Sequence, residues 1–287
     1  MSKLKAAIEA AKRQNQNLRA KASPTTGLVD RRKAVLTASG LSDDGDFIST
    51  MELPRIPVDW ERFRKNRILA HNERHPAEAA YRMLRTRIMQ RMRANEWKFL
   101  GVSSMGPNEG KTYTAINLAI SIAAEVGQEA VLLDLDLRRP SVSPCLGLDP
   151  TSLTKLAEFL AGSIADVREL LVCPGIDRLG CIATGSPLER PSDFLASRRG
   201  KQLFDELRAR LLPETVVIVD LPPLLTVDDA LAVAPMIDGL LFVVADREAK
   251  RDDLVAAHDL LQEFNVVGSV LNKSVDKDER KGYYDSN

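Results

Sequence analysis

The chain has few of the residues that mark a secreted, metal-stapled or membrane-spanning protein. Its 287 residues include only three cysteines, Cys145, Cys173 and Cys181. None forms a CxxC pair, so neither a disulfide framework nor a structural zinc site is expected. Histidine is equally scarce: His71, His75 and His258. His71 and His75 stand four apart, but Pro76 follows directly, and they read as exposed linker histidines rather than ligands. No apolar run approaches the about 20 residues that a membrane helix needs. The opening MSKLKAAIEAAKRQNQ lacks the apolar centre of a secretory leader. These absences point to the cytoplasm. Aromatic residues make up only 5% of the chain, and no basic reading helix carries a recognisable motif, so no nucleic-acid partner is expected.

Net charge is also absent overall, but its parts are unevenly placed. Residues 61–95 hold ten Lys or Arg against three Glu. A basic arm on an acidic body suits nucleic acid, an anionic lipid surface, an acidic protein, or docking on its own domain. Residues 1–22 read as a short polar helix. Residues 23–58 show no periodicity, hold Pro24, Pro54 and Pro57, and read as a flexible linker. Residues 59–97 form a basic lead-in, in which Pro76 opens a helix with Tyr81, Leu84, Ile88 and Met92 on one face.

From Lys98 to residue 274 the pattern changes. Short apolar runs alternate with helical stretches: KFLGVSS, AVLLDLD, LGCIAT, TVVIVD, GLLFVVA and VGSVLN mark six strands. Continuous apolar runs belong to strands covered on both faces. The fold class is therefore α/β, a doubly wound and mostly parallel sheet. Ligands of such sheets sit at the carboxyl ends of the strands. Residues 275–287 form a polar tail.

Three strand ends carry chemistry. The first opens into Gly106, Pro107, Asn108, Glu109, Gly110, Lys111, Thr112 and Tyr113 before a helix. That context makes a phosphate cradle from backbone N–H groups, with Lys111 reaching the β and γ phosphates and Thr112 meeting Mg²⁺. Met105 stands where the usual pattern has glycine, and Gly106 is expected to supply the needed freedom. The second strand ends in Asp134 and Asp136, followed by Arg138 and Arg139. A period of two puts both carboxylates on one face, where either can ligate a metal or accept a proton. The third, VVIVDLPP, ends in Asp220, placed to hold Mg²⁺ with Thr112 and Asp136.

Taken together, the P-loop, the DxDxR segment and the DxPP strand resemble the bacterial tyrosine kinases, P-loop proteins of the MinD/ParA type. AYRMLRTRI, RPSDFLAS, VDDALAVAP and VVGSVLNK also match, so the likeness runs from about Ala77 to Asn272. It implies ATP as donor, Mg²⁺ as metal and a tyrosine hydroxyl as acceptor. Lys111, Asp134, Asp136, Arg138 and Asp220 become the catalytic set, with Asp136 nearest the attacking hydroxyl. Arg138 would orient the loop or neutralise developing charge, and Asn272 would meet the adenine edge. The family's acceptors are tail tyrosines of a neighbouring subunit, here Tyr283 and Tyr284, two of only four tyrosines. The eleven residues from Asn272 to Tyr283 span roughly 36 Å when extended.

The resemblance also implies a homo-oligomer, a membrane-bound regulator of polysaccharide chain length as partner, and recruitment to the inner face of the cell membrane. The family's Glu-x-x-Arg-x-x-Arg assembly helix is incomplete: Arg82 and Arg85 fit, but position 79 is alanine and the nearby acid is Glu78. Two alternatives stand beside the kinase. One is a MinD/ParA-like ATPase switch, although no signature lysine lies between Leu100 and Gly110. The other is a nucleotide-binding adaptor without kinase activity.

Overall fold

In the computed structural model, residues 47–69, 75–149, 153, 155–246 and 251–274 are described. The expected helix over 1–22, the linker over 23–46 and the tail with Tyr283 and Tyr284 lie outside the described residues.

Helices α1 (Trp60–Lys65) and α2 (Pro76–Asn95) lead into strand β1 (Phe99–Ser104) and helix α3 (Lys111–Ala123). Strand β2 (Glu129–Asp134) is followed by α4 (Val142–Leu146), α5 (Lys155–Ala161) and strand β3 (Leu179–Ile182). Then come α6 (Pro191–Leu195), α7 (Arg198–Arg210), β4 (Thr215–Asp220), α8 (Asp229–Val233), β5 (Gly239–Ala245), α9 (Arg251–Leu261) and β6 (Val266–Asn272). The six strands form one sheet in the order β3-β2-β4-β1-β5-β6, and every pairing is parallel.

The apolar runs account for this architecture. Every residue of β1, β2, β3 and β4 is buried. Alternate side chains enter two cores. Leu100, Val102, Ala130 and Leu132 join α2, α3 and α4 on one face. Phe99, Val131, Leu133 and Val217 join α5, α7 and α8 on the other. At the edge, β6 is only half covered. Among the described residues no helix is long and apolar enough to cross a membrane.

The basic lead-in docks on its own domain. Ile88 and Met92 are buried, and Tyr81 and Leu84 pack beside them. Arg85 donates to the Ser121 carbonyl at 2.6 Å and lies 3.2 Å from Glu125. Arg93 reaches the same carboxylate at 3.1 Å, and Arg91 donates to the Val267 carbonyl. Glu78 sits 3.5 Å from Arg82 one turn along the helix. His75 is not a bare linker residue: its Nδ1 accepts from the Ala77 amide at 3.1 Å and caps α2.

The linker reading of 23–58 differs from the structure over its last part. Ile48 is buried, and its amide donates to the Arg210 carbonyl at 2.7 Å. Ser49 Oγ and the Thr50 amide both donate to the buried Glu129 carboxylate at 2.8 Å. Further along, the Ile56 amide donates to the Cys173 carbonyl, and the Cys173 amide to the Pro54 carbonyl. This strap follows no helical or strand period because its partners belong to a surface already folded.

Packing between α6 and α7 depends on Gly200. A Cβ there would lie 2.1 Å from the Leu195 carbonyl oxygen. At Gly268 nothing lies within 4 Å. Gly200→Ala should therefore lower stability by about 1–3 kcal/mol, and Gly268→Ala by no more than about 0.5 kcal/mol. Denaturant unfolding of the two variants beside the parent checks the difference.

Candidate active site

Sheet order decides which side chains meet. Strands β2, β4 and β1 are contiguous, and their register sets Asp134 and Val102 on either side of Asp220. The P-loop leaves β1 two residues beyond Val102, so the three chemical segments emerge at one edge.

The loop takes its shape from Asn108 and Gly110, with φ of +64° and +97°. A Cβ on Gly110 would lie 2.0 Å from Asn272 Nδ2. Neither Met105 nor Gly106 has positive φ, so the freedom expected at Gly106 lies further along the loop. Met105 is tolerated because its side chain packs into the core between the sheet and α8. Glu109 folds inward, accepting from the Gly106 amide at 2.7 Å and the Ala245 amide at 3.2 Å. Asn272 donates its side-chain amide to the Glu109 carbonyl at 2.8 Å. Its donor thus braces the loop, where the resemblance placed it at an adenine. Gly110 begins α3 with no side-chain cap, so the first-turn amides of Lys111, Thr112 and Tyr113 face the loop without one.

Lys111 lies among acids. Its Nζ is 2.7 Å from Asp136 Oδ2 and 3.4 Å from Asp220 Oδ1. Thr112 Oγ1 donates to Asp220 Oδ2 at 2.6 Å. Burial works against the lysine's charge, but Asp220, Asp136 and Asp134 outweigh it and raise its pKa. Burial raises the pKa of Asp220, against the pull of Lys111 and Thr112. Burial and the neighbouring Asp220 charge raise that of Asp134.

The two carboxylates of the DxD segment have different partners. Asp134 accepts from the amides of Asp136, Ser141 and Val142 at 3.0–3.1 Å. Its oxygens hold the following turn and the start of α4. Asp136 instead points at Lys111. Arg138 turns away from the lysine: Nε and Nη2 lie 2.7 and 3.0 Å from the carboxylate of the buried Asp229. Above these groups opens a cleft of ≈620 Å³, lined in part by Asn108, Tyr113, Arg139, Pro144, Pro222 and Thr226. Tyr113 and Cys145 both line its wall, and Asn66 Nδ2 donates to the Cys145 carbonyl at 2.9 Å. Sequence reasoning assigned no role to Asp229, Cys145 or Asn66, because nothing in their spacing points to partners so distant in the chain.

The donor set fits a metal bound with a phosphate. No group of three or more His, Cys, Asp or Glu is arranged to cage an ion among the described residues. Thr112, Asp136 and Asp220 instead supply a few oxygens on one side, which suits Mg²⁺ that keeps waters and phosphate ligands. The uncapped helix start supplies the anion cradle.

Loop conformation yields a direct test. Asn108→Gly should keep nucleotide affinity, since glycine adopts the same backbone without strain. Gly110→Ala should weaken it at least about tenfold through left-handed strain and the Asn272 clash. Titration of a fluorescent ATP analogue with Mg²⁺ compares them.

No family model matches the chain. It is 33% identical to the tyrosine-protein kinase CpsD of Streptococcus pneumoniae serotype 4, over 69% of this chain and 84% of that one. It is 30% identical to the succinoglycan biosynthesis transport protein ExoP of Rhizobium meliloti, over 77% of this chain but 28% of that one. The kinase domain of the Escherichia coli tyrosine kinase ETK superposes with a TM-score of 0.66 at 26% identity, covering 88% and 97% of the two chains. A likeness in fold alone joins it to the cell division ATPase MinD of Pyrococcus furiosus, with a TM-score of 0.52 over 63% of this chain and 74% of that one. With this P-loop beside this acidic cluster, the chain belongs to the bacterial tyrosine-protein kinases.

Proposed function

We propose that the chain is an ATP-dependent protein tyrosine kinase that transfers the γ-phosphate of MgATP to Tyr283 and Tyr284 of a neighbouring subunit. One observation carries this reading: Lys111 lies between Asp136 and Asp220, at the tips of adjacent strands and beside a cleft.

Lys111 is now paired with carboxylates. A triphosphate in the cradle competes for that ammonium and draws it from Asp136. The released carboxylate then accepts the proton of the tyrosine hydroxyl. The phenol oxygen bonds to the γ-phosphorus as the bond to the β–γ bridging oxygen breaks. Thr112, Asp136 and Asp220 would hold Mg²⁺, which would supply positive charge to the phosphate oxygens. Such a transfer needs positioning and charge compensation more than covalent chemistry.

ExoP, a relative much longer than the matched segment, is named for succinoglycan biosynthesis transport. That supports a place in exopolysaccharide or capsule production, with a membrane-bound regulator of chain length as partner. Contact with the inner face of the membrane would come through that partner. Within one protomer Arg85 is already held by Ser121 and Glu125. The exposed Arg82, whose neighbour Glu78 lies on the same helix, and the exposed Arg87 are open to contact between copies. The ATPase-switch alternative is weakened by the lack of a lysine between Leu100 and Gly110.

Purified protein incubated with labelled ATP and Mg²⁺ should acquire phosphotyrosine. Lys111→Ala should lower the rate at least about 100-fold. Tyr283→Phe/Tyr284→Phe should remove most of the label while leaving nucleotide affinity unchanged. Undiminished label in the double variant would exclude the tail as acceptor. Phosphate release without phosphotyrosine would mean an ATPase switch.

A further inference from the structure

We propose that Asp229 is a positioning residue for phosphoryl transfer: its buried carboxylate grips Arg138 and thereby sets the loop that carries Asp136. The consequence for the reaction rests on the kinase reading; the grip itself does not.

Asp229 is the first residue of α8, nine residues past Asp220, and it is fully buried. Arg138 meets both of its oxygens, at 2.7 and 3.0 Å, in a two-pronged pairing. Such a fork fixes direction as well as distance, which a lysine ammonium does not. The pair crosses from the loop after β2 to the helix after β4. Arg138 and Thr226, on the two sides of that crossing, both line the cleft.

Other restraints hold the loop at both ends, the far end through the Ser141 and Val142 amides on Asp134. The Leu135 amide donates to the Asp220 carbonyl at 2.9 Å, and the Asp136 amide to Asp134 at 3.1 Å. The Leu137 carbonyl accepts from the Leu188 amide at 2.8 Å. Between these ends, Arg138 is the side chain that ties the middle of the loop to the helix after β4. Asp136 therefore sits between a fixed start and the clasp at Arg138, 2.7 Å from Lys111.

This arrangement divides the work of two adjacent arginines. Arg138, committed to Asp229 with Asp228 3.8 Å away, serves as a strut. The exposed Arg139 lines the cleft and is the neighbour placed to meet an anion there.

Asp229→Asn preserves shape and removes the charge. In the full chain it should lower kcat by about 10- to 100-fold, the cost of a displacement near 1 Å. The KM for ATP should change by less than about threefold, since the cradle is untouched. Arg138→Lys should act in the same way. The double variant should be no slower than the slower single variant, because both break one contact. Hydrogen exchange of the unliganded chain should rise at residues 135–141 and stay unchanged at 106–112. The proposal is overturned if Asp229→Asn keeps kcat, if KM alone changes, if the two losses multiply, or if exchange rises throughout the domain. Should the parent protein make no phosphotyrosine, the kinase reading fails, and the exchange pattern alone decides the clasp.

Discussion

A buried lysine held among aspartates is the constraint to which the rest of the site answers. Lys111 meets Asp136 and Asp220, while Asp134 sits across from Asp220 in the register. In water these charges would interact weakly; in a desolvated crevice each unpaired charge is expensive. Two carboxylates, Asp136 and Asp220, face one ammonium and one hydroxyl, so carboxylate oxygens are in excess of the positive charge beside them. A divalent cation arriving with a polyphosphate would relieve that excess and give the lysine a new partner. On the proposed reading, binding energy would thereby be coupled to freeing the Asp136 carboxylate.

That cluster exists because of connectivity. With β4 inserted between β2 and β1, the tips bearing Asp134, Asp220 and the P-loop become neighbours. The supports outnumber the reacting groups. The Ala245 amide of β5, bonded to Glu109, and Asn272 of β6 hold the cradle, Asp134 holds the start of α4, and Arg138 reaches Asp229. Reacting side chains fixed in this way keep their geometry before a ligand arrives.

Much of this was legible in the sequence. Strands buried on both faces must be apolar throughout, so all six runs from KFLGVSS to VGSVLN marked strands. The P-loop is local chemistry between a strand and a helix, and the aspartates lie at strand ends. What escaped depends on distant partners. Asp134 and Asp136 look equivalent at a spacing of two, and only the position of α4 separates them. Asn272 and Glu109 carry no signal that they touch. Asn108 gave no hint of its left-handed backbone. The strap at 47–58 has no period because it is ordered by Glu129, Cys173 and Arg210.

The strap bears on how the catalytic body is to be produced alone. A recombinant fragment started at Lys98, where the alternation of strands and helices begins, would strip Ser49 and Thr50 from Glu129. It would leave that carboxylate without these two donors at the base of β2 and bare the surface under Ile48. It would also remove Asn66 from the Cys145 carbonyl on the cleft wall. A fragment that keeps these contacts begins no later than Phe47, ahead of the boundary that composition marks.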